Sequence, residues 1–137
     1  MRKYIMKEEE NKMAKEIIAT KNAPGAVGPY VQATKVNGMV YCSGQLGIDV
    51  PTGKIPEGVE AQAHNSMKNL GAVLKEAGSD YSKILKTTIF IANMEDFGKV
   101  NEIYKSYFDG EYPARSCVEV SKLPLGGLVE IECIAMV

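Results

Sequence analysis

A stripe of apolar residues at helical spacing constrains the fold of this chain more than any other feature. Between residues 59 and 77 the apolar positions recur every three or four residues, and Gly78 follows the last of them. This spacing predicts an amphipathic helix with one buried face, and a glycine at its end is typical of a helix C-cap. Such a helix needs a hydrophobic surface to cover. The stripe consists of Val59, Ala63, Met67, Leu70, Val73, Leu74 and Ala77.

Short segments rich in β-branched residues supply that surface. Asn37-Gly38 separates two of them and predicts a hairpin, because this dipeptide adopts the positive φ angles of a type I′ turn. A second helix is expected from about Asn93, an N-cap residue, with an apolar stripe of Phe97, Val100, Tyr104 and Phe108. The predicted order is β-β-β-α-β-α-β-β. The expected strands are Ile17–Thr20, Val31–Val36, Met39–Ser43, Ile84–Ile91, Ala114–Val120 and Val129–Val137.

This order predicts an α+β fold with a mixed sheet, because helical crossovers favour parallel strand pairs and the hairpin adds antiparallel ones. Two helices can cover only one face of the sheet. The other face is expected to be solvated or hidden by oligomerisation. The length of 137 residues suits one domain, which we expect over residues 17–137 after a charged extension over residues 1–16.

Composition and charge argue against several classes of protein. The net charge is −1, which gives no global field for nucleic acid or an anionic membrane surface. No apolar run reaches the roughly 18–20 residues that span a bilayer. Three widely spaced cysteines, with no signal-peptide pattern before them, favour a cytoplasmic protein with reduced thiols. A single histidine, His64, with no CxxC or HxxxH pattern, predicts no metal site.

The segment Tyr112–Val120 holds candidate functional residues. Strand alternation predicts Ala114, Ser116, Val118 and Val120 on one face and Arg115, Cys117 and Glu119 on the other. We expect the apolar set to pack against the helices and Arg115 to point away from them. Arg115 could bind a carboxylate through two parallel hydrogen bonds from its planar guanidinium, or it could be a surface residue in a weak ion pair. Cys117 lacks a neighbouring base, which favours a structural thiol over a nucleophile.

Other polar residues leave two interpretations open. Glu130 and Glu132 share one strand face with Ile134 and Met136 and could activate water, or they could form a polar strand edge. Asn101 could cap a backbone group or point into a site, and Tyr30 could line a pocket or anchor its loop. Residue patterns alone do not decide between these readings.

Several motifs together resemble the RidA/YjgF family, also described as translation-inhibitor or endoribonuclease L-PSP proteins. The resemblance covers the chain from about Ile17 onward. It matches the deaminase subgroup, because Arg115, Cys117 and Glu130 all stand in place. The motifs are Ala23-Pro-Gly-Ala-Val-Gly-Pro-Tyr-Val-Gln32, Tyr41-Cys-Ser-Gly-Gln45, Lys86-Thr-Thr-Ile-Phe-Ile91, Met94-Glu-Asp-Phe97, Val100-Asn101, Pro113-Ala-Arg-Ser-Cys-Val-Glu-Val120, Leu123-Pro124 and Val129-Glu-Ile-Glu132.

The resemblance implies a chorismate-mutase-like fold, with six strands and two helices, and a homotrimer with active sites between subunits. It implies hydrolysis of 2-iminobutanoate and 2-iminopropanoate to 2-oxo acids and ammonia, without metal or cofactor. Arg115 would bind the substrate carboxylate and Glu130 would activate water. The implied substrate-binding residues are Tyr30, Ser43, Gly44, Asn101, Arg115 and Cys117. RNA cleavage with inhibition of translation, and non-catalytic or chaperone-like binding of small carboxylates, are the alternative functions.

Overall fold

Strands and helices follow one another in the predicted order over residues 14–137, which the computed structural model describes. Residues 1–13, most of the predicted extension 1–16, lie outside the described residues. Strand β1 begins at Glu16. The elements are β1 (Glu16–Ile18), β2 (Ala33–Val36), β3 (Met39–Leu46), α1 (Val59–Glu76), β4 (Ile84–Ile91), α2 (Phe97–Lys105), β5 (Ala114–Glu119) and β6 (Val129–Met136).

The six strands form one mixed sheet in the order β1-β2-β3-β6-β4-β5. Strands β4 and β5 are parallel and are joined through α2, whereas every other neighbouring pair is antiparallel. The predicted hairpin joins β2 to β3, and its two central residues have φ angles of 51° at Asn37 and 77° at Gly38. The mixed sheet and the hairpin are therefore confirmed.

Both helices lie on one face of the sheet, as predicted. Helix α1 packs on β3 and β6, and α2 packs beside α1. The predicted stripe of α1 is buried from Val59 to Ala77, and Gly78 ends the helix with a φ of 85°. Asn93 caps a 3₁₀ turn at Met94–Asp96 that leads directly into α2. The opposite face of the sheet carries no helix from the described residues, and we call it the open face.

One buried glutamine fixes the start of β6. The Gln62 side chain donates to the carbonyl of Pro56 over 2.9 Å, and its oxygen accepts from the Leu128 backbone N–H over 2.8 Å. Buried amides need such partners, so Gln62 holds two loops against α1 at once. Glu130 follows two residues after Leu128 and is paired with Leu46 of β3 and Phe90 of β4.

The expectation for the two faces of β5 is wrong. Arg115 pairs in register with the fully buried Thr87 of β4, and paired residues of neighbouring strands share a face. Arg115 and Cys117 therefore face the helix layer, whereas Val118 lies on the open face and is 43% exposed. Arg115 can face the helices because β5 is an edge strand beside α2. Helix α2 places the amide of Asn101 and the rings of Phe97 and Tyr104 against its guanidinium. In residues 14–137 no helix has the length and apolar character to cross a membrane.

Candidate active site

Arg115 contacts two aromatic rings of α2. Its guanidinium carbon is 5.3 Å from the centre of the Phe97 ring and 5.1 Å from the centre of the Tyr104 ring. Its Nη1 donates a 2.7 Å hydrogen bond to Oδ1 of Asn101. These partners are neutral, so the positive charge of Arg115 remains available to an anion. A planar guanidinium held this way suits two parallel hydrogen bonds to a carboxylate.

A pocket opens beside this arginine. It has a volume of about 500 Å³ and is lined by Asn101, Tyr104, Lys105, Tyr112, Pro113 and Arg115. Two of its six residues are cationic and none is acidic. This lining favours a small anionic ligand, and the volume is ample for a four-carbon acid.

Cys117 stands two residues from Arg115 on the same strand face. Burial raises the pKa of the Cys117 thiol, and the nearby positive charge of Arg115 only partly opposes this effect. The thiol is therefore protonated at neutral pH, which makes it a poor nucleophile. This environment favours the structural reading of the side chain.

Glu130 and Gly44 form a second cluster on the open face. Strand β3 has a bulge, because Ser43 and Gly44 together stand opposite the single residue Glu132 of β6. The Glu130 side chain lies directly over Gly44. A Cβ at position 44 would come within 2.8 Å of the carboxyl carbon. Only glycine leaves room for the carboxylate in this position.

The carboxyl group of Glu130 is electrostatically perturbed. Burial raises its pKa above the ordinary value for glutamate, and the negative charge of Glu132 raises it further. A carboxylate with a raised pKa is a stronger base than an ordinary surface glutamate. Glu130 is therefore suited to take a proton from water.

Ser43 lies next to Gly44 in the bulge, and Tyr30 lies in the loop before β2. The Ser43 hydroxyl donates to the carbonyl of Val31 over 2.6 Å, and its N–H donates to the carbonyl of Gln32 over 2.9 Å. These bonds tie the bulge to the loop that carries Tyr30. The Tyr30 side chain is 52% exposed and lines a separate groove of about 370 Å³.

The predicted site residues therefore fall into two groups on opposite faces of the sheet. Asn101, Arg115 and Cys117 lie on the helix side, where the buried Thr87 pairs with Arg115. Glu130 pairs with Phe90 of β4, whose side chain alternates with Thr87 and points to the open face. Within one subunit the sheet separates Arg115 from Glu130. One chain alone does not bring the two predicted catalytic residues together.

Phe97 and Tyr104 are site residues that the sequence reasoning missed. Their helical spacing indicates core positions, and Tyr104 is indeed buried. The signal that could have found them is the position of Asn101, which lies four residues after Phe97 and three before Tyr104. Residues at these spacings share one helix face.

Comparisons with known proteins identify the class of fold. The family model described as Endoribonuclease L-PSP matches residues 20–137. The crystal structure of the YjgF gene product of E. coli is 43% identical with a TM-score of 0.86, covering 88% of this chain and 98% of that one. The crystal structure of E. coli TdcF with bound serine is 45% identical with a TM-score of 0.86, covering 89% of this chain and 98% of that one.

The sheet order, the two helices and these matches define an α+β protein with the Endoribonuclease L-PSP fold. A relative from Mus musculus, 2-iminobutanoate/2-iminopropanoate deaminase, is 50% identical over 123 residues, which are 89% of this chain and 91% of the mouse protein. The chain belongs to the RidA/YjgF family, which confirms the resemblance carried by the motifs.

Proposed function

We propose that this protein hydrolyses reactive 2-imino acids, such as 2-iminobutanoate and 2-iminopropanoate, to 2-oxo acids and ammonia. The observation that carries the proposal is the Arg115 guanidinium, which neutral partners hold at the edge of an anion-sized pocket. The mouse relative, at 50% identity, is named for this activity. TdcF, at 45% identity, binds serine, a small 2-amino acid that has a carboxylate and a 2-nitrogen in common with the proposed 2-imino acids.

The proposed reaction needs orientation and one base. Arg115 binds the substrate carboxylate and thereby fixes the adjacent imine carbon. Glu130 takes a proton from a water molecule as that water attacks this carbon, forming a carbinolamine. Glu130 then returns the proton to nitrogen, and the C–N bond breaks with its electron pair leaving on ammonia. As the C=O bond of the 2-oxo acid forms, Glu130 takes the hydroxyl proton and passes it to the departing ammonia. A protonated imine is already electrophilic, so this chemistry requires no metal or cofactor.

The remaining site residues have supporting roles in this proposal. Backbone groups of Gly44 and Cys117 contact the substrate or the water. Tyr30, Ser43 and Asn101 shape the pocket, and Asn101 also holds Arg115.

The proposal includes a homotrimer with each active site between two subunits. Its support is the separation of Arg115 and Glu130 on opposite faces of one sheet, because a reaction that uses both residues then needs one from each of two chains. A closed ring of three subunits contains three identical interfaces and hence three sites. The apolar part of the open face gains a partner in such a ring. Tyr41 and Met136 lie there, each 44% exposed in the single chain.

We also propose that the reaction takes place in the cytoplasm. That compartment keeps thiols reduced, which suits the three free cysteines Cys42, Cys117 and Cys133.

A competition assay tests the activity. An amino acid oxidase generates the imine, semicarbazide traps it, and a hydrolase lowers the yield of semicarbazone. The wild type should lower this yield, Arg115→Ala should not, and the exposed-cation control Lys99→Ala should behave as the wild type. Light scattering should show that Arg115→Ala keeps the oligomeric state. Equal yields with and without the wild type, over several amino acids, would leave a carboxylate-binding protein as the better reading.

A further inference from the structure

Helix α2 holds Arg115 with three side chains from one face. Phe97, Asn101 and Tyr104 occupy positions i, i+4 and i+7, which lie above one another on a helix. Seven residues of α-helix rise about 10.5 Å. The guanidinium carbon is 5.3 Å from the centre of the Phe97 ring and 5.1 Å from the centre of the Tyr104 ring, so it contacts both rings at similar distances. Asn101 meets it from the same helix at that level.

The Tyr104 ring is itself anchored to the sheet. Its hydroxyl and the Thr87 Oγ1 form a 2.8 Å hydrogen bond in the buried interior. Thr87 is the register partner of Arg115 across β4 and β5, so the anchor and the arginine start from adjacent strand positions. The ring also packs on Phe108, with 4.9 Å between ring centres. The Tyr104 side chain is therefore fixed at both its hydroxyl and its ring.

This arrangement leaves guanidinium donors for a ligand. The two rings contact Arg115 without accepting a conventional hydrogen bond, and Asn101 Oδ1 accepts one hydrogen bond from Nη1. Arg115 also lines the pocket, so donors that Asn101 does not use can point there. An arginine side chain loses considerable rotamer freedom when it binds a ligand. Contacts that restrict the Arg115 side chain before the ligand binds reduce the entropy that is lost on binding.

We infer that Phe97 and Tyr104 are positioning residues of the carboxylate site, and that Thr87 fixes Tyr104 through the buried hydroxyl pair. The inference deepens the proposed function and rests on it for the identity of the substrate. A purely structural role for the two rings is the competing interpretation. It predicts altered stability with unaltered substrate binding.

Steady-state kinetics on matched variants separate these roles. Tyr104→Phe and Thr87→Val each remove one hydroxyl, and Phe97→Leu removes one ring from Arg115. Each should raise KM about three- to tenfold with kcat within about twofold, because the loss of one cation–π contact or its support weakens ground-state binding. Tyr107→Phe is the control, since its hydroxyl contacts His64 and not Arg115. KM of this control should equal that of the wild type.

The double variant Thr87→Val/Tyr104→Phe tests the anchor. If the two hydroxyls act as one unit, KM of the double variant should be no higher than that of the worse single variant. If KM of the double variant rises by the product of the two single increases, the two hydroxyls act independently and the anchoring role is overturned. Unchanged KM in all four variants, with only a lower melting temperature, would overturn the positioning role.

Calorimetric binding of 2-oxobutanoate separates failure of this inference from failure of the proposed function. This stable carboxylate should bind the wild type and lose affinity in Tyr104→Phe by the same factor as KM. If the wild type hydrolyses no imine, the proposed function fails, and a weaker binding of 2-oxobutanoate to Tyr104→Phe still supports the positioning role. If imine is hydrolysed and binding is equal in both proteins, the positioning role alone is refuted.

Discussion

Replacement of Gly44 by alanine tests whether the placement of the Glu130 carboxylate controls the reaction. The added Cβ would stand 2.8 Å from Cδ and 2.9 Å from Cγ of Glu130. Carbon atoms that do not share a bond settle about 3.5–4.0 Å apart, so the carboxyl group must move by roughly 1 Å. The backbone of Gly44 has no positive φ and accepts alanine without strain. The added Cβ therefore displaces the Glu130 side chain and leaves the backbone at position 44 unchanged.

The expected consequence is a large loss of activity with a small loss of stability. A displacement of roughly 1 Å at a reacting group can cost about 100-fold in rate, so kcat/KM of Gly44→Ala should fall by about this factor. Glu130 is half-buried and flexible. The free energy of unfolding should therefore fall by about 1 kcal/mol or less, the lower end for an added carbon in a packed site.

Semicarbazide competition measures the activity of Gly44→Ala, and urea denaturation measures its stability. Gly98→Ala is the matched control, because Gly98 is exposed on α2 and a Cβ there meets open space. It should keep wild-type activity. The double variant Gly44→Ala/Glu130→Gln should be no slower than Glu130→Gln, since both changes act on one group. Activity of Gly44→Ala within threefold of the wild type would show that the placement of the Glu130 carboxylate does not control the reaction.

Three further predictions concern stability and pH. Gly71→Ala should lower the free energy of unfolding by about 1–3 kcal/mol, because a Cβ there would overlap the Tyr81 hydroxyl; an unchanged urea midpoint would contradict this. Ser66→Ala should leave that free energy unchanged or raised, because the fully buried Oγ has no hydrogen-bond partner among residues 14–137; a loss above about 1 kcal/mol would reveal a partner. Glu132→Gln should lower the pKa of the acidic limb of kcat/KM, because burial raises the pKa of Glu130 most and the negative charge of Glu132, which this change removes, raises it further; an unmoved limb would argue against Glu130 as the base.

Local patterns predicted the elements of this fold well. The stripe of α1 and the Asn37-Gly38 turn depend on residues close in sequence, and both stand as expected. The alternation of β6 also held, with Glu130 on the side away from the core. These features need only helical or strand periodicity and turn geometry, which the sequence carries directly.

The relation between distant elements was not predictable in the same way. Alternation divides β5 into two faces but does not say which of them packs against the helices. The expectation that the apolar face packs there was wrong. Arg115 faces α2 because three side chains of that helix accommodate a cation. Strand β6 lies between β3 and β4, which brings Glu130 against Gly44. No periodicity in the sequence encodes that order or the bulge at Ser43.

In the proposed trimer, Arg115 of one subunit works with Glu130 of another. Mixing two variants, each with one of these residues replaced, tests this sharing of the site. Arg115→Ala and Glu130→Gln are each expected to keep only a small, measurable fraction of the wild-type activity alone. They are dissociated together in denaturant, refolded as an equimolar mixture, and assayed by semicarbazide competition. The single variants, refolded separately and mixed afterwards, are the control.

If each site combines the two residues across an interface, random reassembly of a ring restores about a quarter of the sites, because each must receive an intact Arg115 from one chain and an intact Glu130 from its neighbour. The co-refolded mixture should therefore recover about a quarter of the wild-type activity, and the control should recover none. No recovery, with mixed oligomers demonstrated by mass spectrometry, would contradict the shared site.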